Sequence, residues 1–360
     1  MTRPVAIVGG GPAGMALALA LHRQGVAAEI LDARPRGAAR ADKRILALSH
    51  GARQILATLG VWNAIPHTTI ATIHISHQGG LGRTRITAAE EQVPALGYVL
   101  AAGDLAASLE AALAQSGIAF HDNRRVEGRP DAPLTVWAEG QVDTDTGGVM
   151  MRDYSQHAVI CTATATEAHQ GRAWERFTPA GPVAALPWGK DYAVVLTCAT
   201  GDADRVAALG DSGFLALLQG RFGHRVRFTS ASPRVLFPLG LRYRQTPIAD
   251  RQVWIGNAAQ TLHPVAGQGF NLALRDIFEL ARALTDAPDP GAPEVLAAYA
   301  ASRRIDRRGA MGFTDGLVRL FSNDNPLLRH ARGAGLLALD LLPPARSFVA
   351  RRMMFGARGW

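Results

Sequence analysis

The sequence predicts an α/β protein with two sheets and a C-terminal group of helices, and three observations support this prediction. A continuous apolar run near the N-terminus leads into the glycine-rich turn Gly9–Gly14. A second glycine-rich turn lies within 255–271 and precedes a long helical pattern. Between the two turns, several segments alternate apolar and polar residues. Continuous apolar runs are typical of buried parallel strands, and alternation is typical of a sheet with one solvated face.

Segment 4–32 is predicted to form a β-α-β unit around a G-x-G-x-x-G turn. Its strand, turn, helix and second strand occupy Pro4–Val8, Gly9–Gly14, Met15–Gln24 and Ala27–Asp32. The second strand ends in an acid 23 residues after Gly9. At this spacing the glycines let the backbone approach a pyrophosphate, and the acid accepts a hydrogen bond from an adenosine ribose hydroxyl. The unit therefore predicts a Rossmann-like dinucleotide-binding domain.

The later elements are predicted from helical and alternating patterns. Helices are expected at His50–Leu59, Leu105–Gln115, Asn271–Leu284 and from Pro293 onward. Strands are expected at Ala71–Ser76, Thr84–Thr87, Ala158–Ala163, Tyr192–Cys198, Val226–Thr229 and Gln252–Gly256, most of them in a second, largely antiparallel sheet. The predicted domains are a discontinuous cofactor domain of 1–65, 96–150 and 245–300, a substrate domain of 66–95 and 151–244, and a C-terminal helical region of 301–360.

Composition and charge narrow the function classes. The net charge of +8 is compatible with a nucleic acid, an anionic membrane surface or an anionic cofactor as partner. The basic residues do not interleave with aromatic residues as they do in single-strand binders, which disfavours nucleic acid. Cys161 and Cys198 lack metal-ligand spacing, so neither a metal site nor a disulfide framework is expected. Without a membrane-spanning run or a signal-peptide pattern, the expected location is the cytoplasm.

The second glycine-rich turn, Ile255–Asn271, consists of a strand end, a polar turn and a helix start near Gly269. A glycine-rich helix start presents free backbone N–H groups and the positive end of a helix dipole, which favour an anion or an electron-rich ring. Two such starts, far apart in one chain, suggest one extended cofactor held at both ends.

These motifs resemble the UbiH/UbiF-type flavin monooxygenases, the aromatic-ring hydroxylases of ubiquinone biosynthesis with a para-hydroxybenzoate hydroxylase-like fold. The similarity runs nearly from end to end, through Gly9–Gly14 with Asp32, Asp42–Arg44, Gly97–Leu100, Arg152–Val159, Trp174–Phe177, Gly256–Asn271 and Leu339–Arg346. The wider family usually has Gly-Asp-Ala-Ala-His where this chain has Gly-Asn-Ala-Ala-Gln. Asn257 and Gln260 therefore resemble the quinone branch in particular.

The resemblance implies an FAD-dependent monooxygenase that hydroxylates the ring of a polyprenylated phenol in ubiquinone biosynthesis. It would use NAD(P)H as a transient co-substrate and O2, through a flavin C4a-hydroperoxide. The residues implied to bind FAD are Gly9, Gly11, Pro12, Ala13, Gly14, Asp32, Arg44, Asn257, Pro264, Gly267, Gln268, Gly269, Phe270 and Asn271. His263 and Tyr154 are the candidate catalytic residues, although a loop histidine is more often structural. The arginine-rich C-terminal helices suggest peripheral binding to the inner face of a membrane, or to a biosynthetic complex.

One departure from the family pattern keeps other interpretations open. The family's middle motif is represented only by Ala138–Gly140, and the serine and arginine expected after it are not recognisable in 141–148. A flavin hydroxylase of a soluble aromatic metabolite is one alternative. A catalytically weak flavin-binding subunit of a biosynthetic complex is the other, and the degenerate middle motif favours it.

Overall fold

The computed structural model describes residues 3–80, 82–142, 147–321 and 326–358. Residues 143–146, within the segment that follows the middle motif, lie outside the described part, as do 322–325 and 359–360 of the predicted C-terminal region.

The strands, numbered in chain order, form three sheets. They are β1 Val5–Val8, β2 Ala28–Leu31, β3 Ile45–Ser49, β4 Thr68–Ile70, β5 Thr72–His77, β6 Arg83–Thr87, β7 Gly97–Ala101, β8 Ala119–His121, β9 Thr135–Trp137, β10 Val149–Ala165, β11 Arg172–Thr178, β12 Gly181–Trp188, β13 Asp191–Ala199, β14 Phe228–Ala231, β15 Val235–Arg244, β16 Ile248–Ala249, β17 Gln252–Trp254 and β18 Gln260–Thr261.

The helices pack on these sheets and continue to the end of the described chain. They are α1 Pro12–Arg23, α2 His50–Thr58, α3 Ala102–Ser116, α4 Ala203–Ala207, α5 Asp211–Phe222, α6 Gln268–Leu284, α7 Pro293–Phe321, α8 Pro326–Leu341 and α9 Pro343–Phe355.

The first sheet has the order β16-β17-β9-β1-β2-β8, and every pair from β17 to β8 is parallel. Strand β1 is a buried apolar segment, as its sequence predicts, because helices cover the sheet. In β17, which was also predicted to be buried, only Val253 is fully buried. The apolar side chains of α1, α3 and α6 form one core with the sheet, in which Met15, Leu105 and Ile277 have almost no exposed surface. The predicted β-α-β unit is confirmed.

The second sheet has the path β18-β15-β10-β13-β12-β11-β5-β6, with β14 paired to β10. Its described pairs are antiparallel except β5 with β11, which is parallel. One face packs on α4 and α5 through Val159, Trp174 and Phe214. The prediction of a second, largely antiparallel sheet is confirmed. Strand β10 is much longer than the predicted Ala158–Ala163, because its mostly exposed first half also pairs with β15.

The small third sheet, β3-β7-β4, was not predicted. Its strands are short, and Gly97 at the start of β7 is conformationally permissive, so local patterning gives little strand signal. Helix α1 begins at Pro12 rather than at the predicted Met15. Helix α6 begins at Gln268, which is close to the start predicted near Gly269 and three residues before Asn271. Both helices therefore begin inside their glycine-rich turns.

In the described part of the chain, no helix combines the length and the apolar character that crossing a lipid bilayer requires.

Candidate functional site

Three turns meet at one edge of the parallel sheet, where neighbouring strands β1, β9 and β17 end. They are the first glycine-rich turn, Ala138–Gly140 and Gly256–Ala258. A Cβ atom on Gly9 would lie 2.8 Å from the backbone carbonyl carbon of Ala138, and the Asn257 side-chain amide donates to the Gly140 carbonyl oxygen at 3.3 Å. The carboxyl ends of such strands are where open α/β sheets bind ligands.

The positions of Gly9, Gly11 and Gly14 in the first turn differ in their backbone geometry and in the space around them. Gly9 has a φ of +114°, which a side chain rarely tolerates. A Cβ atom on Gly14 would lie 1.9 Å from the Gly9 carbonyl oxygen, so glycine lets α1 pack directly on the turn. Gly11 is the N-cap of α1 and has no side-chain cap. A Cβ atom there would have only the Arg34 guanidinium within 4.0 Å. The helix start therefore has uncapped N–H groups and open space beside Gly11, the arrangement in which helix N-termini bind anions.

Asp32 closes this turn from the end of β2. Its Oδ2 atom accepts a hydrogen bond from the Gly10 N–H at 2.7 Å, and its carboxylate is paired with the Arg34 guanidinium at 3.0 Å. Burial acts to raise the pKa of Asp32, but the hydrogen bonds and positive charge of Arg34 outweigh it, so the pKa is lowered. Asp32 is therefore an anion at neutral pH. Arg34 is half exposed and lies beside the open helix start. The sequence analysis did not identify this residue, although its position two residues after Asp32 could have indicated an ion pair with that carboxylate.

Arg44 lies just before β3 and is held by a local ion pair. Its guanidinium donates to both carboxylate oxygens of Asp42, at 2.6 to 3.0 Å, while half of its side chain stays exposed. The structure thus orients Arg44 through Asp42.

The second turn leads into α6. Pro264 precedes a short helical turn, Val265–Gly267, and Gly267 has a φ of +60° as the N-cap of α6. No side chain caps α6, and a Cβ atom on Gly269 would meet no heavy atom within 4 Å. The start of α6 is therefore a second open helix N-terminus, with backbone N–H groups available to an anion or an electron-rich ring edge.

The side chains around this start have structural contacts. Asn271 is buried; its oxygen accepts from the Ser49 N–H at 2.8 Å, and its amide donates to the carbonyl oxygens of Ala47 and Gly267 at 3.0 and 2.6 Å. Asn271 thereby fixes the glycine turn against β3. Phe270 packs on the core of the parallel sheet, and Gln268 is buried with its amide directed at the Met353 carbonyl oxygen of α9.

Gln260 belongs to a buried ionic network between α6 and α7, and its side chain is not at the glycine turns. It donates to Asp276 at 2.7 Å and accepts from Arg307 at 2.9 Å. The network continues through the ion pairs Arg303–Asp276, Arg303–Asp306 and Arg275–Asp306. Asp306 also accepts from the Ala357 N–H at 2.9 Å, so the network ties the end of the described chain to α6.

His263 is 1% exposed, and its Nδ1 atom accepts a hydrogen bond from the Val265 N–H at 3.1 Å. Burial lowers the pKa of His263 to about 4, so the ring is neutral at pH 7 and carries its proton on Nε2. That atom has no hydrogen-bond partner among the described residues. Tyr154 lies edge-on to the ring at 5.6 Å and donates its hydroxyl to Asp315 at 2.9 Å. Burial and the nearby Asp315 charge raise the pKa of Tyr154.

Comparison with known proteins agrees with this geometry. A family model described as an FAD binding domain matches residues 2–147 and 135–313. The ubiquinone hydroxylase UbiL of Rhodospirillum rubrum is 34% identical, over 97% of this chain and 89% of the relative. The 3-demethoxyubiquinol 3-hydroxylase of Escherichia coli is 30% identical, over 93% of this chain and 94% of the relative.

Solved structures show the same fold at lower identity. PqsL, a probable FAD-dependent monooxygenase from Pseudomonas aeruginosa, aligns with a TM-score of 0.76 at 21% identity, over 93% of this chain and 99% of that one. The p-nitrophenol 4-monooxygenase PnpA of Pseudomonas putida aligns with a TM-score of 0.77 at 16% identity, over 99% of both chains. The chain therefore belongs to the UbiH/UbiF-type hydroxylases, FAD-dependent aromatic-ring monooxygenases with a para-hydroxybenzoate hydroxylase-like fold.

Proposed function

We propose that this protein hydroxylates the aromatic ring of a polyprenylated phenol in ubiquinone biosynthesis, with NAD(P)H and O2 as co-substrates. The observation that supports it best is the pair of uncapped, glycine-lined helix starts of α1 and α6, two helices that pack against each other in a chain of this family. The names of the relatives from Rhodospirillum rubrum and Escherichia coli support the quinone pathway. FAD supplies the redox and oxygen-activating chemistry when bound.

We further propose how this chain holds FAD. The α1 start at Gly11 would bind the pyrophosphate, and Asp32 would accept from the ribose, sharing or replacing its contacts with Arg34. The α6 start after Gly267 would donate to the pyrimidine edge of the flavin, where negative charge develops on reduction. Asn257 would contact the ribityl and phosphate region.

Arg44 and Pro264 complete the proposed site. Arg44 would reach a cofactor phosphate by exchanging part of its pairing with Asp42. Pro264 shapes the loop before Gly267 by restricting its own φ.

His263 and Tyr154 are proposed to line the substrate side of this loop. His263 is neutral at pH 7 and would donate from Nε2 to a substrate oxygen. Tyr154 stays protonated, and its hydroxyl donates a hydrogen bond to Asp315. It would therefore position the loop and would not serve as a base. We propose the same division into domains that the sequence predicts. The substrate domain would supply the sheet that faces the loop carrying His263.

We also propose that the C-terminal helices dock on a membrane surface, where a polyprenyl phenol resides. Several tail arginines have partners within the chain: Arg346 pairs with Glu90, and Arg351 pairs with Glu91. The exposed side chains at the corner between α8 and α9 are instead apolar, with Leu341 68% exposed and Phe348 71% exposed. Insertion of these side chains, rather than arginine contacts alone, would provide the affinity.

The experiment that tests the function measures quinone intermediates in cells that lack the protein. We expect a prenylated phenol one hydroxyl short of its successor to accumulate, and a plasmid copy of the gene to remove it. Normal intermediates in the deletion strain, together with purified yellow protein that hydroxylates a soluble phenol, would overturn the quinone assignment.

A further inference from the structure

A row of partly exposed side chains crosses the face of the large sheet that is opposite α4 and α5. Adjacent strands place directly paired residues side by side on one face. The row, in spatial order, is Ile75, Glu175, Ala184, Val195, Ile160 and Val235, each paired with the next. All six retain solvent-accessible surface although most lie on interior strands. We name this row the trough.

The trough is bounded by buried residues. On β11, Ala173 and Phe177 lie two positions to either side of Glu175 on the same face, and both are buried. At its inner end, Ile75 packs with Phe177 and with Val265, which belongs to the loop before α6. At its outer end, Val235 is 53% exposed. With strands about 4.8 Å apart, Glu175 lies about 19 Å from this open end.

Glu175 is the one ionisable residue in the trough. Its neighbours in the row and on the same face of its own strand are apolar, and it has no hydrogen-bond or ion-pair partner among the described residues. An unpaired carboxyl in such surroundings destabilises the fold, and such groups concentrate at functional sites. Burial raises the pKa of Glu175 to about 7 and is the sole cause of that shift in the described chain.

Other titratable groups lie on the elements packed around this face. They are His77 on β5, Tyr154 on β10, His263 in the loop, Asp315 on α7 and Arg332 on α8. The neighbouring Arg176 points to the opposite face, where its guanidinium donates to the Arg221 carbonyl oxygen at 3.0 Å.

We propose that the trough holds the prenylated phenol, with the phenol hydroxyl donating to the Glu175 carboxylate and the prenyl chain lying along Val195 and Ile160 toward Val235. The proposal rests on the proposed function, and it names the group that accepts the proton. In this step the phenol O–H bond breaks, a carboxyl O–H bond forms on Glu175, and the electron pair remains on the phenolate oxygen. The resulting phenolate is richer in electrons at the ring carbons ortho and para to it, which favours attack by an electrophilic oxygen.

The test uses the flavin-loaded full chain with 2-geranylphenol and, as the unprenylated probe, 2-methylphenol. Glu175→Gln keeps the side-chain shape and removes the titration; the matched control is Glu167→Gln, at an exposed position in the connection between β10 and β11. Val195→Phe fills the trough between Glu175 and its open end. For each variant we measure flavin content, the Kd of both phenols from flavin fluorescence, and kcat/KM from pH 5.5 to 9.

With flavin content unchanged, we expect Glu175→Gln to lower kcat/KM for 2-geranylphenol about 100-fold at pH 8, and to remove the rise of kcat/KM through pH 7. Val195→Phe should weaken 2-geranylphenol binding at least about 10-fold while leaving 2-methylphenol binding unchanged. A Glu175→Gln variant with the activity and pH profile of the Glu167→Gln control would overturn the proposal while leaving the proposed function intact. A flavin-loaded wild-type protein that neither binds nor hydroxylates 2-geranylphenol would overturn both.

Discussion

Replacing Glu175 with glutamine is expected to stabilise the folded protein at pH 8, and the expected size follows from its surroundings. The pKa of Glu175 rises from 4.5 to about 7 on folding because the carboxyl is largely desolvated among apolar side chains. The folded state therefore binds this proton more tightly than the unfolded chain does. Between these two pKa values the unfolded chain loses the proton first, so stability falls as the pH rises, and above pH 7 the loss is complete.

When Glu175 is fully ionised, the free energy of unfolding is lower by about 3 kcal/mol, since one pKa unit corresponds to about 1.4 kcal/mol. Between pH 5 and pH 8 the decrease amounts to about 2.5 kcal/mol, a value that residual solvent access lowers somewhat. Glu175→Gln lacks the titration, so its stability relative to wild type should increase by about 2 kcal/mol between the same two pH values. Glu167→Gln, which removes an exposed carboxyl, serves as the control, and its stability relative to wild type should be the same at both pH values.

The assay is urea unfolding of the flavin-loaded protein at pH 5 and pH 8, with equal excess FAD in every sample. The measured quantity is the difference in the free energy of unfolding between variant and wild type at each pH. Equal differences at pH 5 and pH 8 would show that Glu175 does not change its proton affinity on folding, and the argument from burial would then be wrong.

Three further predictions concern the cofactor turn, the ionic network and the tail. Gly14→Ala should abolish FAD retention on gel filtration, because its Cβ atom would lie 1.9 Å from the Gly9 carbonyl oxygen and displace α1. Asp306→Ala should lower the free energy of unfolding by about 3–5 kcal/mol, since it leaves buried arginines uncompensated. Replacing both Leu341 and Phe348 with serine should reduce co-sedimentation with anionic liposomes several-fold while flavin content stays constant, because these side chains are exposed and apolar.

Each of these has a control elsewhere in the chain. Gly220→Ala adds a Cβ atom where no heavy atom lies within 4 Å, so FAD retention should persist; loss in both glycine variants would contradict the packing argument. Asp204→Ala removes an exposed carboxylate and should change stability by less than about 0.5 kcal/mol. Met151→Ser removes an exposed apolar side chain distant in sequence from the tail, and an equal loss of liposome binding there would argue against the α8–α9 corner.

The first glycine-rich turn was predictable because its chemistry is local. Strand, glycines and helix follow one another within a few residues, and Asp32 closes the unit at a characteristic spacing. The family followed from phrases spread along the chain, and the comparisons confirm it.

What the sequence could not show depends on contacts between distant residues. Gln260 was recognised only as a residue typical of the quinone branch, and its partners Asp276 and Arg307 come from two later helices. The trough could not be predicted either, because it exists only in the register of six strands. The Trp174–Phe177 phrase was recognised as family-like, yet the isolation of Glu175 becomes visible only when its neighbours across the sheet are known.

The most direct test of the central claim is isotope incorporation from labelled dioxygen. Purified yellow protein would be supplied with NAD(P)H, 2-geranylphenol and oxygen-18 gas, and the product analysed by mass spectrometry. We expect a hydroxylated geranylphenol that contains one oxygen-18 atom and forms only when NAD(P)H is present. A flavin-loaded protein that consumes NAD(P)H but transfers no labelled oxygen to the phenol would contradict it.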